Sequence, residues 1–367
     1  YNPTEKTQIN FEAAASKNDL NLFSNLDDNN NDGFAGKLNF KQNIVKTDSL
    51  WNVNAFFDSD YISDDYRNIE GLYNPEFNRD WNLNLNNLNG IGNNLGNQLL
   101  LNSGFQIFHP KKGTFNYQFE HLNFSDGFNG NRHIANANLL LNKFSIVSYS
   151  SFLNVNSTNN TSTFLRSYNT ITYGMRKSWL GTRLAIEDNE QRETATQTLT
   201  PLSQKFKSYD VFVGVGDSTK IFAEIGYKNR VNDSIRNNEL QKVNTSNTFY
   251  LNAKLVQNKN TNLSIYANYR TLTYEDDTIE DERSINSRIQ YNQKLFNQIV
   301  QWNTVFETNS GTLPQQDFTY VEVEPGQGTY TWIDYNESGI QELEEFEIAQ
   351  FQDEGKYIRV LLPNRVF

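Results

Sequence analysis

The sequence predicts an all-β fold, built as a meander of antiparallel hairpins. The first observation is the alternation of apolar and polar side chains, clearest in the hairpin Gln98–Phe124, where Phe115, Tyr117 and Phe119 share one side of a strand. The second is composition: 26 Phe and 19 Tyr bring the aromatic share to 14%, which suits strands better than helices. The third is that no apolar run approaches the ~18 residues that a membrane-spanning helix needs.

Strands are predicted on both sides of this hairpin. Before it, apolar alternation indicates strands in Thr7–Ser16, Asp19–Leu26, Phe34–Phe40, Trp51–Phe57 and Trp81–Leu85. After it, the same pattern indicates strands in Ala135–Leu141, Val147–Val155, Phe164–Met175, Trp179–Ile186, Tyr209–Val215, Ile221–Tyr227, Phe249–Leu255, Leu263–Tyr269, Ile285–Tyr291 and Val300–Phe306. Polar stretches rich in Asn and Gly separate these segments, as expected of turns and loops.

The predicted connections are alternately short and long. Tight turns are predicted at Pro110–Gly113, Asn142–Lys143, Gly216–Ser218 and Gln257–Asn260. Long polar loops are predicted at Ser63–Asn78, Glu187–Ser203, Lys228–Lys242 and Glu275–Glu282. Transmembrane β-barrels have this asymmetry, with short turns on one side of the membrane and long loops on the other.

Strand length and aromatic placement favour a transmembrane β-barrel within residues 1–309. We expect roughly 14–16 or more strands of about 9–12 residues, a length that crosses a bilayer at a tilt, and the barrel can be incomplete in this chain. Apolar stripes end in aromatic residues, as a girdle at the membrane interface would: Trp51, Trp81, Trp179, Tyr227, Tyr269 and Trp302. A soluble antiparallel protein, with two sandwiches or one long twisted sheet, would alternate in the same way and is the alternative.

Charge and cysteine usage limit the partners and the compartment. The formal net charge is −11, and no basic patch with interleaved aromatics is present, so nucleic acid is not an expected partner. The chain has no Cys and one Met, which favours a protein of the cell envelope over a cytosolic enzyme. The first residue is Tyr1 rather than Met, which indicates a processed or partial chain.

The sequence contains no recognisable catalytic constellation. It has no G-x-S-x-G motif, and its three histidines, His109, His121 and His133, do not have the spacing of zinc ligands. Carboxylates are too abundant for a glycosidase pair to be picked out without geometry. We therefore predict that the protein is not an enzyme.

Residues 310–367 form a separate acidic segment with a candidate calcium loop. The stretch Asp334–Glu345 matches a twelve-residue EF-hand-like loop. The candidate ligands are Asp334, Asn336 and Ser338 at positions 1, 3 and 5, the carbonyl of Ile340 at 7, Glu342 at 9 and the bidentate carboxylate of Glu345 at 12. A strand is expected before the loop at Thr329–Ile333 and a helix after it at Leu343–Phe351. We expect a structural Ca²⁺ site, and the alternative is an acidic turn that binds nothing specifically.

The Asn-rich and aromatic-rich alternating strands, the lack of Cys, the acidic composition and two short sequence segments resemble outer-membrane β-barrel proteins of the Bacteroidota. The two segments are Glu76–Trp81 and Tyr320–Glu345, and the second is similar to stretches in large surface proteins of that group. The resemblance implies an outer-membrane location, long loops exposed at the surface, and contact with outer-membrane lipid and other envelope proteins. It also implies that the chain is a segment of a longer protein.

The functional expectation is therefore a pore, or the membrane subunit of an envelope complex for secretion, uptake or assembly. The alternative is an extracellular β-domain that is stabilised by calcium and serves in binding or adhesion. The resemblance supplies no catalytic residues.

Overall fold

The structure, a computed structural model, describes residues 1–19, 23, 30–46, 50–67, 76–83, 95–310, 318–323, 326–335, 341, 343–349, 351 and 354–361. The chain divides into two compact units, Tyr1–Ser310 and Gly311–Phe367, which are called the first and second units below. The described part of the chain contains no helix with the length and hydrophobicity needed to span a membrane.

The first unit is an up-and-down antiparallel sheet. Among the described residues its strands are β1 (Thr7–Lys17), β2 (Asp32–Lys46), β3 (Asn52–Ile62), β4 (Gln98–His109), β5 (Gly113–Phe124), β6 (Phe128–Leu141), β7 (Phe144–Ser157), β8 (Asn160–Gly174), β9 (Ser178–Glu193), β10 (Gln204–Gly216), β11 (Phe222–Arg236), β12 (Glu239–Gln257), β13 (Thr261–Tyr274), β14 (Glu282–Leu295) and β15 (Val300–Ser310). Each strand pairs with its neighbours in the chain, so the spatial order is the sequence order from β1 to β15. The prediction of an all-β antiparallel meander is confirmed.

Several strands extend further than the sequence analysis predicted. The expected loop Lys228–Lys242 is instead the ends of β11 and β12, joined by Asn237 and Asn238, whose φ angles are 52° and 63°. Positive φ at both turn residues is the geometry of a tight two-residue hairpin turn. Polar side chains hold this extension together: Asn232 donates from Nδ2 to Oδ1 of Asn244 at 2.7 Å. Apolar alternation cannot detect strands that are stabilised in this way. For the same reason the predicted strand Trp179–Ile186 ended before Glu187, whereas β9 continues to Glu193.

Two other predicted strands have different outcomes. Trp81 was predicted to begin a strand, but it directly follows a short helix, α1 (Phe77–Asp80), in the connection between β3 and β4. Residues 84–85 of that predicted strand lie outside the described residues. Most of the predicted strand Asp19–Leu26 also lies outside the described residues, since only Asp19 and Phe23 are described within it.

The two faces of the sheet differ in chemistry. Along β10 to β14, one register row on the first face contains Val211, Tyr227, Phe249, Tyr269 and Ile285. We call this the apolar face. Its exposed members include Phe11, Phe34, Phe57, Phe105, Leu165, Ile171, Leu184, Val211, Val213, Ile225, Phe249, Ile285, Ile289, Trp302 and Phe306. Because strand side chains alternate, the other face takes the intervening residues and is here called the polar face.

Strand glycines on the polar face lie beneath aromatic rings. A Cβ atom at Gly214 would lie 2.1 Å from the ring of Trp179, and one at Gly226 would lie 2.3 Å from Tyr250. Trp179 was expected in an interfacial girdle, but its indole Nε1 donates to Glu224 on the polar face at 2.8 Å. Aromatic side chains that cover strand glycines fill the gap left by the missing side chain.

Replacing Gly214 by Ala is expected to destabilise the folded protein by about 1–3 kcal/mol, because the new methyl group would displace the Trp179 ring and break its bond to Glu224. The free energy of unfolding of the protein in denaturant measures this. Gly36→Ala is the matched control: a Cβ there meets its nearest atom, the carbonyl oxygen of Glu12, only at 3.9 Å. Equal effects of the two substitutions would contradict the packing argument.

The second unit contains a small antiparallel sheet. Its described strands are β16 (Phe318–Glu322), β17 (Tyr330–Trp332), β18 (Phe346–Ile348) and β19 (Tyr357–Leu361), in the spatial order β16, β19, β17, β18. Stacked rings hold it together, with Tyr320 and Phe346 at a centroid distance of 4.1 Å. The strand predicted at Thr329–Ile333 is confirmed as β17. The helix predicted at Leu343–Phe351 is wrong, because a single 3-10 turn at Leu343–Glu345 leads directly into β18.

Candidate functional site: the polar face and its docked segment

A short segment of the β3–β4 connection, residues 76–83, lies against the polar face and is called the docked segment. It contains α1, and its rings Phe77 and Trp81 are almost fully buried. They form the hydrophobic cluster of this unit together with Leu122, Phe124, Phe128, Leu153, Val155 and Phe164 from β5 to β8. The described core of the sheet is therefore on its polar face, under the docked segment.

Asp80, the last residue of α1, binds two buried arginines. Its Oδ2 lies 3.1 Å from Nη1 of Arg132, and its Oδ1 accepts from Nη2 of Arg166 at 2.8 Å. The two arginine side chains are only 7% and 8% exposed. Arg132 also contacts Glu120, at 3.4 Å. A buried guanidinium needs a counter-charge, and Asp80 serves two of them at once.

Further polar contacts extend from the docked segment to β8 and β9. Nη2 of Arg79 donates to Oε1 of Glu187 at 2.9 Å, and the hydroxyl of Tyr168 donates to the same oxygen. Asn82 and Asn189 exchange reciprocal amide hydrogen bonds at 2.9 and 3.0 Å. Each of these partners is a polar-face residue of the sheet, so the segment is fixed by charge and amide pairing as well as by its two rings.

A second ion-pair network lies on the polar face of β9 to β12. Arg183 donates from Nη1 to Oδ2 of Asp210 at 2.8 Å and from Nη2 to Oε1 of Glu224 at 3.1 Å. The hydroxyl of Tyr250 donates to Oδ1 of Asp210 at 2.9 Å. The guanidinium of Arg183 also lies over the ring of Phe212, with 3.9 Å to its centroid. The charge of Arg183 is fully matched by these two carboxylates.

One row of side chains on the polar face from β2 to β6 consists of amides. This register row contains the side chains Asn43, Asn54, Gln106, Asn116 and Asn136. Within it, Nδ2 of Asn43 donates to Oδ1 of Asn54 at 2.8 Å. Amides both donate and accept, so this row can hold water or a hydroxyl-rich solute without attracting either sign of charge.

The predicted calcium ligands are only partly described. Asp334 follows β17 and is half-buried, and Glu345 ends the 3-10 turn and is 4% exposed. Oε2 of Glu345 accepts from the indole Nε1 of Trp332 at 2.8 Å. The other four candidate ligands lie outside the described residues: Asn336, Ser338, Ile340 and Glu342. Among the described residues, no group of three or more His, Asp or Glu side chains converges as a metal site would.

Sequence reasoning missed the docked segment and the ion pairs that bind it. The segment Glu76–Trp81 contributed only to the resemblance to outer-membrane proteins, and Trp81 was predicted to lie in the interfacial girdle. A usable signal was present in the polar stripe of β6 and β8, where Arg132 and Arg166 occupy positions that face inward beside apolar neighbours. Buried arginines imply a carboxylate partner, although the sequence does not say which one.

The chain matches no protein-family model and has no significant match among curated proteins.

Proposed function

We propose that the first unit forms part of the wall of an outer-membrane β-barrel, which acts as a pore or as the membrane subunit of an envelope complex. The observation that carries the proposal is the inverted distribution of polarity. Val215, Ile225 and Phe249 are 57–59% exposed on the apolar face. Arg132, Arg166, Glu187, Asp210 and Glu224 are at most 9% exposed on the polar face.

Such a distribution is unfavourable in water. Burial of one Val, Leu, Ile or Phe side chain contributes about 1.5–3 kcal/mol, so leaving the whole apolar face wet would cost on the order of tens of kcal/mol. Hydrocarbon chains of lipid remove that cost. The strands are also long, with 13 residues in β10 and 19 in β12, which is enough to cross a bilayer at a tilt.

The edges of the sheet bear on how such a wall would close. Among the described residues the sheet order begins at β1 and ends at β15. In an antiparallel meander these two strands run in the same direction, because both are odd-numbered. Closure with antiparallel pairing throughout therefore requires an odd number of further strands between them, and bacterial single-chain barrels have even counts.

The connections support an orientation for the barrel. Residues 110–112, 142–143, 175–177 and 258–260 are tight turns at one end of the strands. The other end has the long connection 63–97, which contains the docked segment, and the ten-residue connection 194–203, beside short turns at 125–127, 158–159 and 237–238. We propose that the tight-turn end faces the periplasm and the other end faces the cell surface. The docked segment would then narrow the lumen, and lipid and other envelope proteins would be the partners.

Membrane extraction tests this proposal. The protein is expected to stay with the membrane fraction through high salt and alkaline carbonate and to be released only by detergent. A soluble periplasmic protein in the same preparation controls for incomplete washing. Release of the chain by salt or carbonate alone would overturn the assignment and favour a soluble extracellular β-domain.

A calcium-stabilised binding or adhesion domain is the second candidate, and one observation in the second unit favours it. Asp334 and Glu345 place carboxylates at the first and last positions of the proposed loop, and the Trp332 indole orients Glu345 by a 2.8 Å hydrogen bond. Hard carboxylate oxygens at both ends suit Ca²⁺, and a hydrogen-bonded outer partner typically orients such a ligand. Bound Ca²⁺ would hold the loop closed between β17 and β18.

Glu345→Gln is expected to weaken calcium binding at least about tenfold, since it removes the bidentate carboxylate. Isothermal titration of the full chain with Ca²⁺ measures the affinity. Glu347→Gln is the control, because Glu347 is an exposed carboxylate two residues away that accepts from the Tyr335 hydroxyl at 2.6 Å. No calcium uptake by the unaltered protein, or equal weakening in both variants, would contradict the proposed loop.

A further inference from the structure

The polar face of β9 to β13 contains a cationic depression of about 590 Å³. Its charged lining residues are Arg183, Glu224, Lys228, Arg230 and Arg270. Arg183 pairs with both Glu224 and Asp210, so this network adds one net negative charge beside the depression. Among the described residues, Lys228, Arg230 and Arg270 form no ion pair with a carboxylate. In a chain of net charge −11, three unmatched cations in one depression are unusual.

The register brings these three side chains within reach of one ligand. Lys228 of β11 and Arg270 of β13 both pair with Thr248 of β12, one on each side. Their Cα atoms are therefore about two strand spacings, or ~10 Å, apart. Arg230 is two residues further along β11 on the same face, roughly 7 Å away. Side chains of this length can converge over the depression.

Arg230 is held in place for binding. Its Nε donates to Oδ1 of Asn232 at 2.7 Å, and its guanidinium lies over the ring of Phe206 with 3.8 Å to the centroid. These contacts fix the plane of the guanidinium and leave its terminal nitrogens for a ligand. A preorganised guanidinium loses little freedom when it binds an oxyanion in a bidentate manner.

The neutral lining completes the chemistry of an anion site. Ser246, Thr248, Asn252 and Tyr266 also line the depression and can donate hydrogen bonds. We propose that this depression binds an oxyanion-bearing solute of the phosphate class, held by Lys228, Arg230 and Arg270. The binding chemistry follows from the fold alone, whereas its location in a pore lumen rests on the proposed function.

Calorimetric titration of the detergent-folded protein with inorganic pyrophosphate tests the site. Lys228→Gln/Arg270→Gln is expected to weaken binding at least about tenfold, since two charge-assisted contacts are lost. Lys143→Gln/Lys220→Gln is the matched control: it removes two charges in turns outside the depression and is expected to bind as the unaltered protein does. If the first double variant fails to fold, the two single variants are measured instead, each with a smaller loss.

The outcomes separate this inference from the membrane assignment. Pyrophosphate binding that the double variant loses and the control keeps supports the site, whether or not the protein resists carbonate extraction. Folded protein that shows no binding at millimolar pyrophosphate, or equal loss in the control, overturns the site and leaves the membrane proposal standing.

Discussion

Asp80→Asn is expected to release the docked segment from the polar face. The substitution keeps the size of the side chain and removes the charge that faces Arg132 and Arg166. Arg132 retains Glu120 at 3.4 Å, but Arg166 has no second carboxylate among the described salt bridges. Removal of one partner from a buried ion pair typically costs about 3–5 kcal/mol, because the remaining charge is left without compensation. That is a large share of the stability of a segment of eight residues.

Hydrogen exchange of the α1 amides and proteolysis within the 63–97 connection would report the release. Glu76→Gln is the control on the same segment: Glu76 is exposed and lies 3.8 Å from Arg79, so its loss should cost at most about 1 kcal/mol. If the segment narrows a pore, single-channel conductance should also rise in the Asp80 variant only. Protection of α1 that is the same in both variants would show that Phe77 and Trp81 suffice to hold the segment.

The sequence allowed a good prediction of the sheet where the apolar alternation is regular. Tyr209, Val211, Val213 and Val215 marked β10, and the strand is there. The prediction failed where strands are stabilised by amides, as in the expected loop Lys228–Lys242. In that stretch the apolar residues Val231, Ile235 and Leu240 are too sparse among polar side chains to give hydropathy a clear period, and the pairing depends largely on hydrogen bonds between side chains of different strands.

The candidate site was less predictable for a different reason. Asp80 meets Arg132 and Arg166, which are 52 and 86 positions away in the chain, and no local pattern encodes such a contact. Trp81 and Trp179 fit an interfacial girdle by residue type alone. Their true surroundings depend on which face each occupies, and that follows from the helix α1 and from the register of β9. The calcium loop was a local motif, so it could be proposed, and most of its ligands remain a prediction.

Val211→Arg is expected to be the most informative substitution on the apolar face. Val211 lies in the middle of β10 and is 49% exposed. If that face contacts lipid, a charge there lies near the bilayer midplane and should destabilise the inserted protein by about 2–4 kcal/mol. If the face contacts water, replacement of an exposed Val by Arg should change stability by no more than about 0.5 kcal/mol. The two environments therefore predict clearly different results from one measurement.

Val215→Arg supplies the depth control for this test. Val215 is on the same face of the same strand, next to the turn at 217–221, and is 59% exposed. Near the interface the cost of an arginine falls to about 0–1 kcal/mol. Folding into lipid vesicles at several guanidinium concentrations gives both free energies. A large loss at Val211 with a small loss at Val215 is the profile of a lipid-facing strand. Small losses at both positions would assign the apolar face to water or to another protein surface, because neither environment varies with depth along β10 as a bilayer does.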